Sequence, residues 1–240
     1  VAVDWKAVDQ AIGKPGAMQA GDVYKYSLPR SDLLVKVGDV QIKPALALGS
    51  WLAFKAAPQH TMVMGDLVLQ EDEVNPVLSK LQDGGIEQTA MHNHVFGETP
   101  RIVYMHIEAH GDAVQLAAAV RTALQQSKTP IDPGGSGSPP AIDLDTAQLD
   151  QIIGVAGKNN GGVYQYSVPR SEKITMADME IPTSMGLGSA LNFQPTGGGK
   201  AAITGDFVLT GDEVNPVIRA LRGNGIEVTA LHSHMLDEQP

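Results

Sequence analysis

The chain is one unit written twice, and a repeat of this kind constrains the fold before any single residue does. Tyr24-Lys25-Tyr26-Ser27-Leu28-Pro29-Arg30-Ser31 returns 140 positions later as Tyr164-Gln165-Tyr166-Ser167-Val168-Pro169-Arg170-Ser171. At the same offset recur Gly65-Asp66, Asp72-Glu73-Val74-Asn75-Pro76-Val77, Gly85-Ile86-Glu87 and Thr89-Ala90. Residues 61–100 aligned with 201–240 give 20 identities in 40 positions without a gap. The expected organisation is therefore a first repeat over 1–127, a connector rich in Pro, Gly and Ser over 128–143, and a second repeat over 144–240. The second repeat has no counterpart of 101–126. A unit short of a strand and a helix leaves apolar surface exposed, so the expectation is that a tail is missing from this sequence.

Composition narrows the classes of partner. Lys and Arg number 17 against 27 Asp and Glu, a net charge of −10 with no basic run, so nucleic acid is not an expected partner. Nor does any stretch approach the ~20 apolar residues of a membrane span. There is no cysteine, which removes disulfides, thiolate zinc sites and cysteine nucleophiles together. Any transition metal must be held by His, carboxylates or Met. The chain starts at Val1 without a basic-then-apolar leader, and reads as a mature or trimmed product whose targeting segment, if one existed, is not visible, a lipid anchor being one thing that could be lost with it.

Local pattern places the elements. Asp4 and Asp145 cap short amphipathic helices, with Trp5, Val8 and Ile12 in the first, Leu149, Ile152 and Ile153 in the second, and Gly13 and Gly154 as stops. Residues 23–28, 35–42, 48–54 and 61–69 read as antiparallel strands. Asn75-Pro76 reads as an N-cap and first helical position, with Gly84-Gly85 as the stop. Residues 86–95 and 101–110 read as two strands joined around Gly97, and Asp112 caps a helix to residue 126. The expected class is α+β, each repeat an antiparallel sheet with packed helices around a strand-helix-strand-strand-helix core.

Chemistry concentrates in the histidines. His92, His94, His106 and His110 fall in the first repeat, His232 and His234 in the second, and His60 stands apart. Residues two apart on a strand share a face, so His92 and His94 present adjacent imidazoles. A hairpin closing near Gly97 sets residues whose numbers sum to about 196 opposite each other, His92 with Tyr104 and His94 with Ile102. His106 then lies on the His92 face at the diagonal, ~7–8 Å away along the backbone and within reach of long side chains. Glu98 is placed to be a fourth ligand or the general base beside a metal-bound water. Three protein ligands and an open position are what zinc needs to lower the pKa of bound water to about 7. His110 lies too far along the strand to join. The second repeat keeps His232, His234 and Glu238, an incomplete copy of the same site. A His-x-His can merely decorate a wet sheet face, but here His-x-His-x-x-x-Glu-x-Pro appears twice while the residues between its fixed members change.

Other readings are weaker. The first metal motif of cupins has this His-x-His spacing, but a helix predicted just upstream and the absence of a second motif argue against that barrel. Arg30 and Arg170, with Tyr24 and Tyr164 in the same repeated motif, could contact an anionic ligand or could brace a turn. Asp72-Glu73 and Asp212-Glu213 suit the positive end of a helix. Met176, Met179 and Met185 would suit Cu(I), but core filling accounts for them better.

The run Gly65-Asp66-Leu67-Val68-Leu69, Asp72 to Val77, Gly85-Ile86-Glu87, Thr89-Ala90-Met91-His92-Asn93-His94, Glu98-Thr99-Pro100-Arg101 and Met105-His106 resembles the domain of unknown function typified by the mycobacterial lipoproteins LppY and LpqO. The resemblance covers nearly the whole chain and implies a secreted, periplasmic or lipid-anchored address. It brings no reaction with it. The expected function is an extracytoplasmic metal-binding protein, zinc before copper, with zinc-assisted hydrolysis as the leading mechanism and a small molecule or a metal ion as the partner. The alternatives are a protein that sequesters the ion and a ligand- or protein-binding module.

Overall fold

The structure is a computed structural model that describes residues 2–132, 138–176 and 179–240. In chain order, the first repeat contains α1 (Trp5–Ile12), β1 (Ala17–Gln19), β2 (Val23–Pro29), β3 (Lys36–Val37), β4 (Val40–Gln41), α2 (Pro44–Ala47), β5 (Gly49–Ala56), β6 (Thr61–Gln70), α3 (Glu71–Asp83), β7 (Glu87–His92), β8 (Glu98–Thr99), β9 (Ile102–Gly111) and α4 (Ala113–Leu124). The second contains α5 (Thr146–Ile153), β10 (Lys158–Asn160), β11 (Val163–Pro169), β12 (Ile174–Met176), β13 (Met179–Ile181), a 3-10 turn at Thr183–Met185, β14 (Gly188–Gly197), β15 (Lys200–Asp206) and α6 (Gly211–Gly223). The centre of the predicted connector, residues 133–137, lies outside the described residues.

The α+β class and the antiparallel sheets are as expected. Repeat one is a six-stranded antiparallel sheet in the order β1-β2-β5-β6-β9-β7. Helices α1, α3 and α4 cover one face, burying Val8, Ile12, Val77, Leu81, Ala117 and Val120 against Leu52, Phe54, Leu67 and Met105. Asp4 caps α1 by accepting the N–H groups of Lys6 and Ala7, and Gly13 ends it at φ 95°.

Three local expectations need correction. Helix α3 starts at Glu71, not at Asn75-Pro76. A capping box decides the start: the Gln70 N–H donates to Glu73, the Gln70 side chain accepts from the backbone of Glu73, and three acidic residues occupy the first turn. Pro76 sits inside the helix, and α6 repeats this arrangement from Thr210 with Pro216 inside. The strand expected at 35–42 is instead the pair β3 and β4, joined with β8 in a small separate sheet. The strand expected at 86–95 stops at His92, because the chain turns off toward β8.

The face of the large sheet that the helices leave bare is covered by repeat two. After its Pro-Arg-Ser, each repeat lays an arm on the other's sheet. The arm of repeat one carries α2 onto β14 and β15 and packs Leu46 and Leu48 in one cluster with Val163. The arm of repeat two packs Ile174, Met176, Met179, Ile181 and Met185 against Val23, Ala53, Met62 and Met64. Those methionines therefore fill core, as the sequence reading favoured. Polar groups at the seam are satisfied across it: Gln194 accepts the Lys43 N–H at 2.9 Å and donates to the Gln41 carbonyl at 2.7 Å.

Repeat two has a four-stranded sheet, β10-β11-β14-β15, so β15 lies at an edge. Residues 227–232, which match β7, form no strand. The cause is visible in repeat one, where β7 pairs with β9 and not with β6, and repeat two has no strand in the β9 position among the described residues. Helices α5 and α6 accordingly bury no residue.

Candidate metal centre

The middle of β6 and β9 is where the polar groups enter an otherwise apolar sheet. Strand β6 is buried nearly throughout, and within it stands Asp66, the cross-strand partner of His106. Gly65 beside it leaves no room for a side chain: a Cβ there would lie 2.8 Å from both Leu52 Cδ2 and the Trp51 carbonyl oxygen. On the other side of β9, His92 pairs with Tyr104 and Ala90 with His106, the register expected from a sum of 196. A bulge between Gln88 and Ala90 shifts the rest of the ladder, and Thr89 within it donates its hydroxyl to the His234 carbonyl at 2.8 Å.

The result is one centre built from both repeats, not one site in each. His92 Nε2 and His106 Nε2 are 2.8 Å apart. The His232 ring lies parallel to that of His92 with centroids 3.4 Å apart, and ligand atoms of His92, His106 and His232 all fall within 4.8 Å of one another. His94 and His234 flank this trio, with ring centroids 5.1 Å from His92 and 4.2 Å from His106 respectively. Tyr104 supports it from below, its ring 4.0 Å from that of His94 and its hydroxyl donated to the Ala47 carbonyl at 2.6 Å. Thr229 donates to the His94 carbonyl and Asn93 to the Thr229 carbonyl, which ties the two His-x-His segments together.

Tautomers follow from these partners. Nδ1 of His92 lies 2.9 Å from the carbonyl of Asn93, and Nδ1 of His232 lies 2.9 Å from the carbonyl of Ser233. A carbonyl only accepts, so each Nδ1 carries its hydrogen, and in the neutral ring Nε2 is the nitrogen with the lone pair. This is the tautomer a metal takes, with the far nitrogen held by a backbone oxygen. Two nitrogens on one tetrahedral zinc stand about 3.3 Å apart, a small ring rotation from the 2.8 Å seen here.

Electrostatics disfavours charge on His92, His94, His106 and His234. Burial, reinforced by the neighbouring imidazoles, pushes His106 far below the usual histidine range and brings His94 and His234 to about 4. Burial also lowers His92. The opposite holds for Asp66, which burial and the charge of Asp206 raise to about 7. Six buried side-chain nitrogen or oxygen atoms among the described residues have no hydrogen-bond partner, and four belong to this centre: Asp66 Oδ1, His94 Nε2, His106 Nδ1 and His234 Nε2. Unpaired buried polar atoms are costly, and their concentration in one place singles out this centre as one that could hold a cation.

The other expected residues lie elsewhere. Glu98 Oε1 accepts the Ile102 N–H at 3.3 Å, its Oε2 is another of the six unpaired atoms, and it stays outside the close trio. Glu238 also stays outside, next to Gln239, whose backbone bridges to Thr175. Arg30 is fully buried, and its donors are taken by Asp32, Glu73 and the Val68 carbonyl. Arg170 makes the same bonds to Glu172, Glu213 and the Val208 carbonyl. Tyr24 donates to Asp9 and Tyr164 to Asp150, tying strand to helix in each repeat. These four residues brace the fold. Sequence reasoning assigned no role to Asp66, Asp206 or Tyr104, although an Asp repeated inside an apolar strand was a usable signal.

A family profile described as Domain of Unknown Function (DUF1259) matches residues 6–126 and again 147–240. These two matches cover most of the chain, which belongs to that family. No curated protein and no solved structure matches it.

Proposed function

We propose that this two-repeat member of the DUF1259 family binds one divalent transition metal, zinc in preference to copper, between its repeats. The observation that carries the reading is the convergence of His92, His106 and His232 within 4.8 Å, with lone pairs of His92 and His232 left free by their backbone bonds. His92, His106 and His232 would hold the ion. Neutral nitrogen donors suit zinc or copper, and no thiolate is available to select a softer ion. Bound there, zinc supplies a Lewis acid and an acidified water.

Within that reading the finer proposal is hydrolysis of a small molecule. His106 is buried while His92 and His232 are partly exposed, which leaves one side of the trio accessible to a substrate. Asp66 holds a proton near neutrality and is the carboxyl best placed to exchange one, with Glu98 more remote. A sequestering role would instead close the shell with His94 and His234, whose buried nitrogens are unpaired. We further propose an extracytoplasmic address and kinship with the LppY and LpqO lipoproteins, supported by the sequence resemblance. No described helix is long and apolar enough to cross a membrane.

Elemental analysis of tag-free chain, beside His92→Ala/His106→Ala and His232→Ala variants, tests the binding. Near-stoichiometric zinc or copper lost in both variants is the expected result. Metal content unchanged by either variant, or no uptake of added zinc and copper, overturns it. Cobalt substitution then separates the finer readings: a visible spectrum that responds to pH and azide reports an open position, and an unresponsive one reports sequestration.

A further inference from the structure

The same apolar face is closed in one repeat and open in the other. Ile152, Ile203 and Ile226 are 52–70% exposed, whereas the residues they match in repeat one, Ile12, Val63 and Ile86, are at most 1% exposed. Apolar side chains exposed singly are ordinary, but these hold positions that are core in the other copy. In repeat one the face is closed by β9, whose Met105, Ile107 and Ala109 join the helix-side core, and by α4, which buries Leu116, Ala117 and Val120. Strand β9 stands between β6 and β7. Their counterparts, β15 and residues 227–232, have no strand between them among the described residues, and β15 pairs with β14 alone. Beside α6 lies a groove of about 460 Å³ lined by Val208, Val217, Arg170, Glu172, Asp212 and Glu213. At the matched place in repeat one the chain leaving α4 is seated: the Lys128 N–H donates to Glu73 Oε1 at 2.8 Å, Thr129 is buried and Ile131 packs on the core.

We propose that repeat two is a docking surface for a partner segment built as β9 and α4 are: a strand with apolar residues at alternate positions, an Ala-rich amphipathic helix, and an extended stretch carrying a cation. Repeat one is the template for each part. The strand adds antiparallel to the open edge of β15, as β9 pairs with β6, and gives residues 227–232 the neighbour that β7 has. The helix covers α5 and α6, as α4 packs on α1 and α3. The extended stretch enters the groove, one backbone N–H reaching Glu213 as Lys128 reaches Glu73. Charge agrees with this occupant, since three carboxylates line the groove against one guanidinium and the template carries Lys128 at its entry. One difference between the repeats bears on the partner's sequence. A Cβ on Gly84 would lie 2.7 Å from Ala119 Cβ, and the residue matching Gly84 in repeat two is Asn224. The partner helix therefore calls for glycine where α4 has Ala119. None of this depends on whether a metal binds between the repeats.

The probe is a synthetic peptide of residues 101–132 carrying Ala119→Gly, added to the intact chain and followed by fluorescence anisotropy and amide hydrogen exchange. Sedimentation confirms that each peptide is soluble. The expected result is one peptide per chain, with exchange across 201–206, 211–223 and 227–232 slowed at least about tenfold and exchange in α3 unchanged. A Met105→Asp/Ile107→Asp peptide, charged on the apolar face of its strand, should not bind, and the peptide that keeps Ala119 should bind more weakly. A soluble probe that leaves exchange unchanged at about 100 μM overturns the proposal, as does equal binding by the two-aspartate peptide. Equal affinity of the Ala119 peptide would overturn the close helix approach on which the fit rests. Protection of α6 that grows with chain concentration, and that the probe does not displace, also overturns it and assigns the face to a second copy.

Discussion

Arg30 and Glu73 form a fork-to-fork ion pair at 2.8 and 3.1 Å that fixes the entry to α3. Burial alone would raise the Glu73 carboxyl, but Arg30 and the N–H groups of Lys128 and Gln70 hold it below the usual range. The same pair recurs as Arg170 and Glu213, where the side chains are 12% and 38% exposed against 0% and 6% in repeat one. One motif thus sits in two dielectric settings within one molecule. Removing Arg30 strands Glu73 and Asp32 without their cation, and breaking a buried pair from one side costs about 3–5 kcal/mol. Removing Arg170 leaves Glu213 able to take up water, and a solvent-screened pair contributes far less than a buried one. Urea unfolding of Arg30→Met and Arg170→Met should show that inequality; equal losses would contradict it.

The two helices that follow these pairs should differ in dynamics for a related reason. Helix α3 buries Glu73, Val74, Val77 and Leu81 and packs on α4, whereas α6 presents Val214, Val217 and Leu221 with no residue buried. Local opening free energy follows buried apolar contact. Amide hydrogen exchange in α6 should run about 100-fold or more faster than at matched positions of α3. Equal protection would mean that something covers α6 in solution, and a concentration dependence of that protection would identify it as a second copy.

Much of this was legible in the sequence, and the failures have physical causes. The repeat, the antiparallel sheets, the His92–Tyr104 register and the approach of His106 to His92 all follow from periodicity and from one turn. The start of α3 was misplaced because Asn-Pro is a good local cap, while the capping box at Gln70 is reinforced by Arg30 from 43 residues away. The meeting of His232 with His92 was not readable at all. It depends on each repeat laying its arm across the other's sheet, and no local pattern encodes which exposed face finds which partner.

Neutral histidines buried beside a protonated carboxyl give the metal-free chain a signed pH dependence. His94 and His234 fall from the ordinary value of 6.5 to about 4, so between those limits the unfolded chain binds two protons that the folded chain does not. Asp66, raised from 3.8 to about 7, works in the opposite sense over nearly the same window. For these three groups the balance is one extra proton on the unfolded side; the lowered His92 and His106 add to it, and the raised Glu98 and Glu108 work against it. Stability should therefore rise with pH from about 4 to 6.5, by about 1.4 kcal/mol per pH unit for each net proton. Replacing His94 and His234 by Gln removes two titrating groups while Asp66 remains. Urea midpoints at pH 4.5, 5.5 and 6.5 should then show a shallower slope than the parent, and parallel slopes would refute the assignment.

Gly186 is the position where backbone strain and the centre meet. It follows the 3-10 turn at φ 94°, a left-handed conformation that side chains rarely adopt, and a Cβ there would run into His234 Nε2 and lie 3.1 Å from the Trp51 ring. Gly154 provides an internal control, since its φ is 85° but nothing lies within 4 Å of its Cβ position. Substituting Ala at Gly154 should cost the conformational term alone, about 1–2 kcal/mol. At Gly186 the same substitution adds a collision that only movement of the His234 ring relieves. Gly186→Ala should therefore lose more stability than Gly154→Ala and weaken zinc binding at the inter-repeat centre, where Gly154→Ala leaves affinity unchanged. Equal stability losses together with equal zinc affinities would show that His234 has room the structure does not give it, and would detach that side chain from the centre.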